Sequence, residues 1–474
     1  MLLTLFSYKV ADYRSIYHIP LEAKAVCATD YDLDGDNDII IEHGIDEDTQ
    51  WGGIYIMGND GYGHFSFMDS IFDSTAGSVM YADTILSSTY PDIIYKYNGY
   101  VKILSKEGGN YTHDSFYMGT NINKFNIGDV DNNGHLDVVF ISNQERYWGI
   151  IYNQGDGSFT APVYYDLDYP PNDIACGNLN GDGRYDVVVG GASSVCAIYF
   201  SNTTGFEKLP LQYNATNVKI ANLDNDGDMD IITFSDAYIM SFVHLYENLG
   251  NNVFDTVNNF NINEGCSDFI ITDFNNDSLP DVLFSTYNYN GEYILYYNKG
   301  DFQLGDSLYI NIANYGESWR NMYCADMDGN SFADIIITRQ VFDTTISPSI
   351  LEILFNDGQG NFVENPLTAT EDIQSHNKAS LNCYPNPFIN ETNFECSTEE
   401  NARVILSIYD IGGKLIKNLT TDGMNTNQYC NLLKTHKMIW DGKNNNGQYC
   451  KPGLYITALK INGVIKQTVK VLKY

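Results

Sequence analysis

DYDLDGDND at residues 30–38 is the first of a series. The same nine-residue spacing returns as DVDNNGHLD at 129–137, NLNGDGRYD at 178–186, NLDNDGDMD at 222–230, DFNNDSLPD at 273–281 and DMDGNSFAD at 326–334. Asp or Asn holds positions 1, 3 and 5 of every copy, and Asp always holds position 9. Such alternation turns side-chain oxygens to one side of a loop, where they surround a hard cation. The side chains so placed are Asp30, Asp32, Asp34 and Asp38; Asp129, Asp131, Asn133 and Asp137; Asn178, Asn180, Asp182 and Asp186. The series continues with Asn222, Asp224, Asp226 and Asp230; Asp273, Asn275, Asp277 and Asp281; Asp326, Asp328, Asn330 and Asp334. The expected cofactor is calcium, at about six sites. A random acidic surface would not preserve that spacing six times.

Working outward, steps of 49, 44, 51 and 53 residues separate the last five closing aspartates, whereas 99 separate the first two. That gap holds a worn copy, running from Tyr81-Ala-Asp to Pro91-Asp-Ile-Ile-Tyr. It keeps Asp83 and Asp92 but lacks the acidic middle, so no cation is expected there. Seven units therefore exist, and a period of this length marks a repeat architecture.

Each closing aspartate leads into a β-branched run, such as Asp38-Ile-Ile-Ile, Asp186-Val-Val-Val and Asp334-Ile-Ile-Ile. A second apolar strand follows, then a Gly/Asn turn and an aromatic, as in Tyr152-Asn-Gln-Gly-Asp-Gly-Ser-Phe159. Short β-rich runs punctuated by Gly and Asn are strand and hairpin signals. One strand before the loop and three after it give four-stranded units, which at this period suggest propeller blades. A single blade has little core, so stacking on neighbours must supply the burial.

With these features the chain resembles the FG-GAP/VCBS repeats of integrin α-subunit propellers and many bacterial surface proteins, over residues 21–370. The resemblance implies an all-β, seven-bladed propeller with calcium in the loops, and main-chain ligation alone from Asp36 and Asp228 at position 7. Ser278 and Ser331 depart from the usual glycine, and Gly329 comes two residues early.

Composition divides the chain. Its formal charge is −35; residues 1–380 carry 15 Lys and Arg against 54 Asp and Glu, and residues 381–474 carry 11 against 7. Solubility alone would explain the sign but not the spacing. No basic stripe or nucleic-acid motif is present, which argues against a nucleic-acid partner. A polar, aperiodic linker covers 371–380. Beyond it, strand patterns at 393–396, 404–410, 414–419, 438–442, 453–459 and 464–472 describe a small Ig-like β-sandwich. Tyr384-Pro-Asn-Pro, Tyr409-Asp-Ile-Gly-Gly-Lys, Trp440-Asp-Gly-Lys, Pro452-Gly-Leu-Tyr and the final Val469-Lys-Val-Leu-Lys resemble the C-terminal sorting domain of type IX secretion substrates of Bacteroidota. A flagellar hook-capping Ig-like domain shares some of these elements. The resemblance implies export through the type IX machinery to the medium or the outer cell surface.

Residues 1–20 read as an outer strand closing the last blade, through Tyr13 to Ile19, or as the remnant of a leader. Met1-Leu-Leu-Thr-Leu-Phe lacks the basic region and apolar length of a signal peptide. No stretch approaches the ~20 apolar residues that span a bilayer. Of nine cysteines, Cys176 and Cys324 fall on inner strands as small hydrophobes, while Cys383, Cys396, Cys430 and Cys450 allow two disulfides in three connectivities.

Catalytic signatures are missing: there is no GxSxG, HExxH, P-loop or Rossmann fingerprint. His43 and His64 share one blade, where they read as lone surface histidines rather than as a pair. A ligand is expected instead on the face opposite the acidic loops, where the connections are aromatic-rich. The residues proposed for it are Trp51, Tyr97, Arg146, Trp148, Tyr287, Tyr289, Trp319 and Arg320. Exposed aromatics beside Asn, Glu and Arg suit sugar stacking or protein hot spots. The sequence thus describes a secreted or surface-attached module for an extracellular glycan or protein. A polysaccharide lyase or hydrolase using the same face is the alternative.

Overall fold

The computed structural model describes residues 9–10, 15–19, 23–43, 52–73, 80–86, 89–107, 110–192, 194–236, 240–286, 292–311, 320–340, 349–363, 381–384, 388, 391–398, 404–410, 414–420, 434–445, 447–451, 453–461 and 464–473. The chain forms two compact units, Met1–Leu367 and Thr368–Tyr474. All regular elements among the described residues are strands, and no helix there is long and apolar enough to cross a membrane.

Within the first unit the described strands form seven sheets. Sheet 1 comprises Ala23–Thr29, Asp38–His43, Gly52–Asn59 and Phe65–Asp73. Sheet 2 comprises Met80–Asp83, Asp92–Tyr97, Tyr100–Glu107 and Asn110–Tyr117. Sheets 3, 4 and 5 repeat the same four-stranded antiparallel meander from Ile122, Asp173 and Asn217. Sheet 6 begins at Cys266, and the short strand Lys9–Val10 lies parallel to its last strand. Sheet 7 comprises Arg320–Ala325, Asp334–Gln340 and Ser349–Asn356. Ser15–Ile19 pairs antiparallel with the last of these, so the start of the chain and the last repeat share one sheet.

The acidic loops join first to second strands, and the closing aspartate is the first residue of every second strand. Those second strands lack the polar alternation of a one-sided sheet because both of their faces are covered. In sheet 1, Ile39 and Ile41 pack against Met327, Ile336 and Leu351 of sheet 7. Ile40, between them, packs with Met80 and Ile93 of sheet 2. The same two-sided burial recurs at every junction, giving seven apolar clusters for seven sheets. First strands touch first strands, and Ala23–Thr29 contacts both Met80–Asp83 and Arg320–Ala325. Sheets stacked in such a closed cycle make a β-propeller.

In the second unit, one sheet holds Leu381–Tyr384, Thr392–Thr398 and Lys434–Trp440, and another holds Leu415–Thr420, Val404–Asp410, Gly453–Ile461 and Val464–Lys473. Phe394, Met438 and Trp440 from the first meet Leu406, Ile408, Leu459 and Val471 from the second in one core. Facing sheets with a shared interior form a sandwich. Cys450 is a free thiol, so the four cysteines of this unit do not make two disulfides; the other three side chains lie outside the described residues.

Candidate metal centres and ligand face

The closing aspartate is buried in all seven sheets, Asp92 of the worn copy included. Its two oxygens serve the backbone. In loop 129–137, Asp137 Oδ2 accepts the N–H of Val130 at 2.9 Å, and Oδ1 accepts the N–H of Asn153, in the segment after the third strand, at 2.8 Å. Asp186, Asp230, Asp281 and Asp334 repeat both bonds. Asp92 Oδ2 accepts from Ile85 and Leu86 at 3.0 and 2.8 Å. Position 9 therefore has a structural duty in every unit: it satisfies backbone donors that burial would otherwise orphan. Desolvation outweighs those donors and raises Asp38, Asp186 and Asp281 to about 6, Asp137 and Asp230 to about 7, and Asp334 to about 8.

Position 2 is a second anchor that the sequence reading passed over. Tyr31, Ile85, Val130, Leu179, Leu223, Phe274 and Met327 all point into the junction with the next sheet. The carbonyls of Ile85, Val130, Leu179, Leu223, Phe274 and Met327 are held from that next sheet. Asn153 Nδ2 donates to Ile85 O, Ser201 Oγ to Val130 O, Asn248 to Leu179, Asn298 to Leu223, and Asn356 to Phe274. Asn59 of sheet 1 donates to Met327 O of sheet 7 at 2.9 Å, closing the cycle. The Asn-x-Gly turns were visible in the sequence, but their partners lie 68 to 82 residues away, or 268 for Asn59, beyond any local pattern.

Positions 1, 3 and 5 carry the chemistry left over. Three loops bring the carboxylates of positions 1, 3 and 9 within 4.8 Å of one another: Asp30, Asp32 and Asp38; Asp129, Asp131 and Asp137; Asp326, Asp328 and Asp334. Buried oxygens without a hydrogen-bond partner lie in four loops: Asp30 Oδ1, Asn178 Oδ1, Asn222 Oδ1 and Asp328 Oδ2. Acceptors converging with no donor fit a hard oxygen-seeking cation. At position 5 of the first loop, Asp34 lies outside the three-carboxylate cluster, exposed, and accepts the N–H of Asp36. In the worn copy, Asp83 pairs with Asp92 in the strand register, as Gly128 pairs with Asp137. Asp83 is thus one residue ahead of position 1, which is Thr84.

Positions 4 and 6 are left-handed in all six loops, at φ from 57° to 104°. Ser278 and Ser331 adopt the conformation that Gly35 and Gly134 adopt elsewhere, so losing the glycine does not change the turn.

The predicted ligand residues fare unevenly. Trp51, Tyr287, Tyr289 and Trp319 lie outside the described residues, as does the side chain of Arg320. Trp148 is wholly buried, stacked 4.3 Å from Tyr165 in the junction of sheets 3 and 4, and offers nothing to a ligand. Tyr97 is half-buried under Lys102, whose Nζ is 4.7 Å from the ring centre. Arg146 is exposed in the turn between the second and third strands of sheet 3. His43 and His64 are not neighbours. His43 stacks on Tyr55 at the far end of its strand, while His64 meets Asp60 beside the acidic loops.

Two further places emerge only in three dimensions. Lys124, Asp173, Asn217, Asp268 and Asn321 share one position in five successive first strands, five residues before each loop. Lys124 Nζ meets Asp173 Oδ1 at 3.0 Å, and Asn217 reaches Asp268 at 3.4 Å. On the acidic-loop face, a cleft of ≈ 680 Å³ lies between sheets 3 and 4, lined by Asp131, Tyr152, Gln154, Arg184 and Phe206 among others. Arg184 Nη1 donates to Asp131 O at 2.7 Å, tying one loop to the next.

The FG-GAP-like repeat family matches residues 129–189, 178–233, 222–284 and 273–337. Each match runs from one acidic loop into the second strand of the following sheet, so this stretch carries four FG-GAP-like repeats. No curated protein matches the chain. Among solved structures, a chain from the crystal structure of BBS1N in complex with ARL6DN, soaked with lead, is similar over 73% of this chain and 97% of its own length, with 13% identity and a TM-score of 0.49.

Proposed function

We propose that the protein is a secreted or surface-attached, seven-bladed propeller, stabilised by calcium, that binds an extracellular glycan or protein. Each of the seven sheets is one blade, and the six complete loops each hold one calcium ion. The observation that carries this reading is the gathering of the carboxylates of positions 1, 3 and 9 in three loops, two of which also hold a buried oxygen with no donor. Carboxylates gathered so closely are stabilised by a hard cation among them. Residues 381–474 act as an Ig-like sorting domain for type IX secretion, a reading supported by their terminal motifs and separate core.

Two experiments test it. Equilibrium dialysis with radioactive calcium should find about six ions per chain, and none after Asp30, Asp129 and their equivalents at position 1 are replaced by Ala. Incubation with a polysaccharide panel should give retention without new reducing or unsaturated ends; their appearance would favour the lyase or hydrolase alternative. For the tail, deleting 381–474 should leave the propeller folded yet strand it in the periplasm of a type IX host once a signal peptide is supplied. Normal surface delivery of the truncated chain would refute that role.

A further inference from the structure

We propose that the rim of sheets 2 and 3 opposite the acidic loops is a glycan platform formed by Tyr100, Tyr117, Tyr147 and Tyr164, with Arg146 at its edge. The proposal rests on the binding-module reading and gives it a location. Strand alternation creates the platform. On Tyr147–Ile151, Trp148 and Ile150 turn toward sheet 4, which leaves Tyr147 facing sheet 2. Tyr165 likewise stacks on Trp148, whereas Tyr164 joins Tyr147 with ring centres 4.8 Å apart. Tyr100 and Tyr117 form a matching edge-to-face pair on sheet 2 at 5.2 Å.

Two glycines bring the pairs together. Met118 and Gly119 both donate their N–H to Gly99 O, at 2.8 and 3.2 Å, so the end of sheet 2 folds over its own hairpin turn. A Cβ on Gly99 would strike the Gly119 carbonyl, and one on Gly119 would strike the Tyr147 hydroxyl. Bare backbone therefore lies between the two tyrosine pairs: Tyr147 and Tyr164 stand against Gly119, while Tyr100 and Tyr117, which alternate with Val101 and Phe116 of the junction between sheets 2 and 3, stand on the other side of that backbone, and the platform spans the rim between them.

Exposure is concentrated here. Across residues 80–166, the exposed large apolar side chains among the described residues are Tyr100 (40%), Tyr117 (44%), Tyr164 (42%) and Val163, whose strand carries Tyr164. Apart from Val163, that group contains only tyrosines. The platform has rigid aromatic faces and planar polar neighbours. Asn121 Nδ2 donates to Glu145 Oε1 at 2.9 Å, and Tyr147 Oη donates to Thr120 O at 3.1 Å. The Arg146 backbone is pinned by Ser142 O at 2.9 Å and by Leu167 N at 2.7 Å, which presents its guanidinium from a fixed base. Aromatic faces stack on the C–H faces of pyranose rings, while amide, carboxylate and guanidinium groups take the flanking hydroxyls in pairs. An uncharged glycan also escapes the repulsion that a chain of formal charge −35 exerts on anions.

The test is affinity electrophoresis of the full chain in calcium, through gels holding neutral glucans, xylan or mannan and, separately, polygalacturonate. At least one neutral polysaccharide should retard the protein. Tyr117→Ala and Tyr164→Ala should each weaken that binding about tenfold, with the chain still folded in calcium and its melting temperature lowered by only a few degrees, since both rings lie partly in solvent. Tyr62→Ala, a tyrosine 58% exposed on the acidic-loop face, should bind as the parent does. Undiminished retardation of both variants would overturn the platform and leave the module reading intact. So would retardation only by polygalacturonate and its loss in Arg184→Ala, which would move the site to the cleft between sheets 3 and 4. Failure of every gel also overturns the platform, whereas release of new reducing ends would overturn the module reading itself.

Discussion

The loop at 84–92 and the loop at 129–137 occupy the same place in adjacent sheets, yet only the second has acidic residues at positions 1 and 3. Both keep an apolar position 2, Ile85 or Val130, buried in the next junction. Both keep a fully buried closing aspartate that accepts the position 2 N–H. What the worn copy lost separates the two duties of the motif. Positions 2 and 9 serve the fold in both loops, and the acidic positions 1 and 3, present only in the second, gather with position 9 into a cluster that could hold a cation.

Chelation should draw the sharpest line between those duties. With six loops emptied, the melting temperature of the first unit should fall by roughly 10 °C or more, while the second unit hardly responds. Differential scanning calorimetry before and after verified metal removal measures this, and coincident, unshifted transitions would break the comparison. Anomalous scattering from a calcium-grown crystal should show no ion between Asp83 and Asp92; density there would mean that the worn copy is not worn.

Asp92→Asn and Asp137→Asn come next. Each replaces an acceptor oxygen with an amide donor facing a buried N–H, at a cost of about 2 to 3 kcal/mol. If position 9 is structural, both variants should lose that amount in urea titrations, and Asp92→Asn should lose it equally with or without calcium. A calcium-dependent loss at Asp92 would assign the worn loop a cation after all.

Acidity should act in an unusual direction on the metal-free protein. Desolvation lifts the closing carboxyls to between about 6 and 8 in the folded chain, against roughly 4 when unfolded. A raised folded value means stability that is full below pH 4 and is lost as pH rises through 6 to 8. The urea midpoint in chelator should therefore fall between pH 5 and pH 8, and calcium should flatten that slope by taking the proton's place. The smallest effect concerns Leu33, which is 48% exposed in a left-handed conformation at φ 64°. Leu33→Gly should gain about 1 kcal/mol, since only the strained turn is relieved.

Much of this was legible before any coordinates. The spacing of Asp and Asn in six loops, the β-branched run after each closing aspartate and the charge change near residue 380 are local patterns, and local patterns report local chemistry. They led to the sheets, the turns and the cation-seeking oxygens. They also put Asp83 one residue out of phase, since Asp92 lies nine residues on from it where the step from position 1 to position 9 is eight elsewhere, and the strand register agrees. Such patterns could not separate Trp148, sealed against Tyr165, from its neighbour Tyr147 on the open rim. Adjacent residues on a strand face opposite sheets, and which sheet leaves a gap was decided elsewhere, by glycines at 99 and 119. The Asn side chains that hold one sheet's loop to the next were likewise fixed only by stacking. Sequence determined what each repeat could do alone; the closed cycle of sheets decided which of its side chains meet a neighbour and which meet solvent.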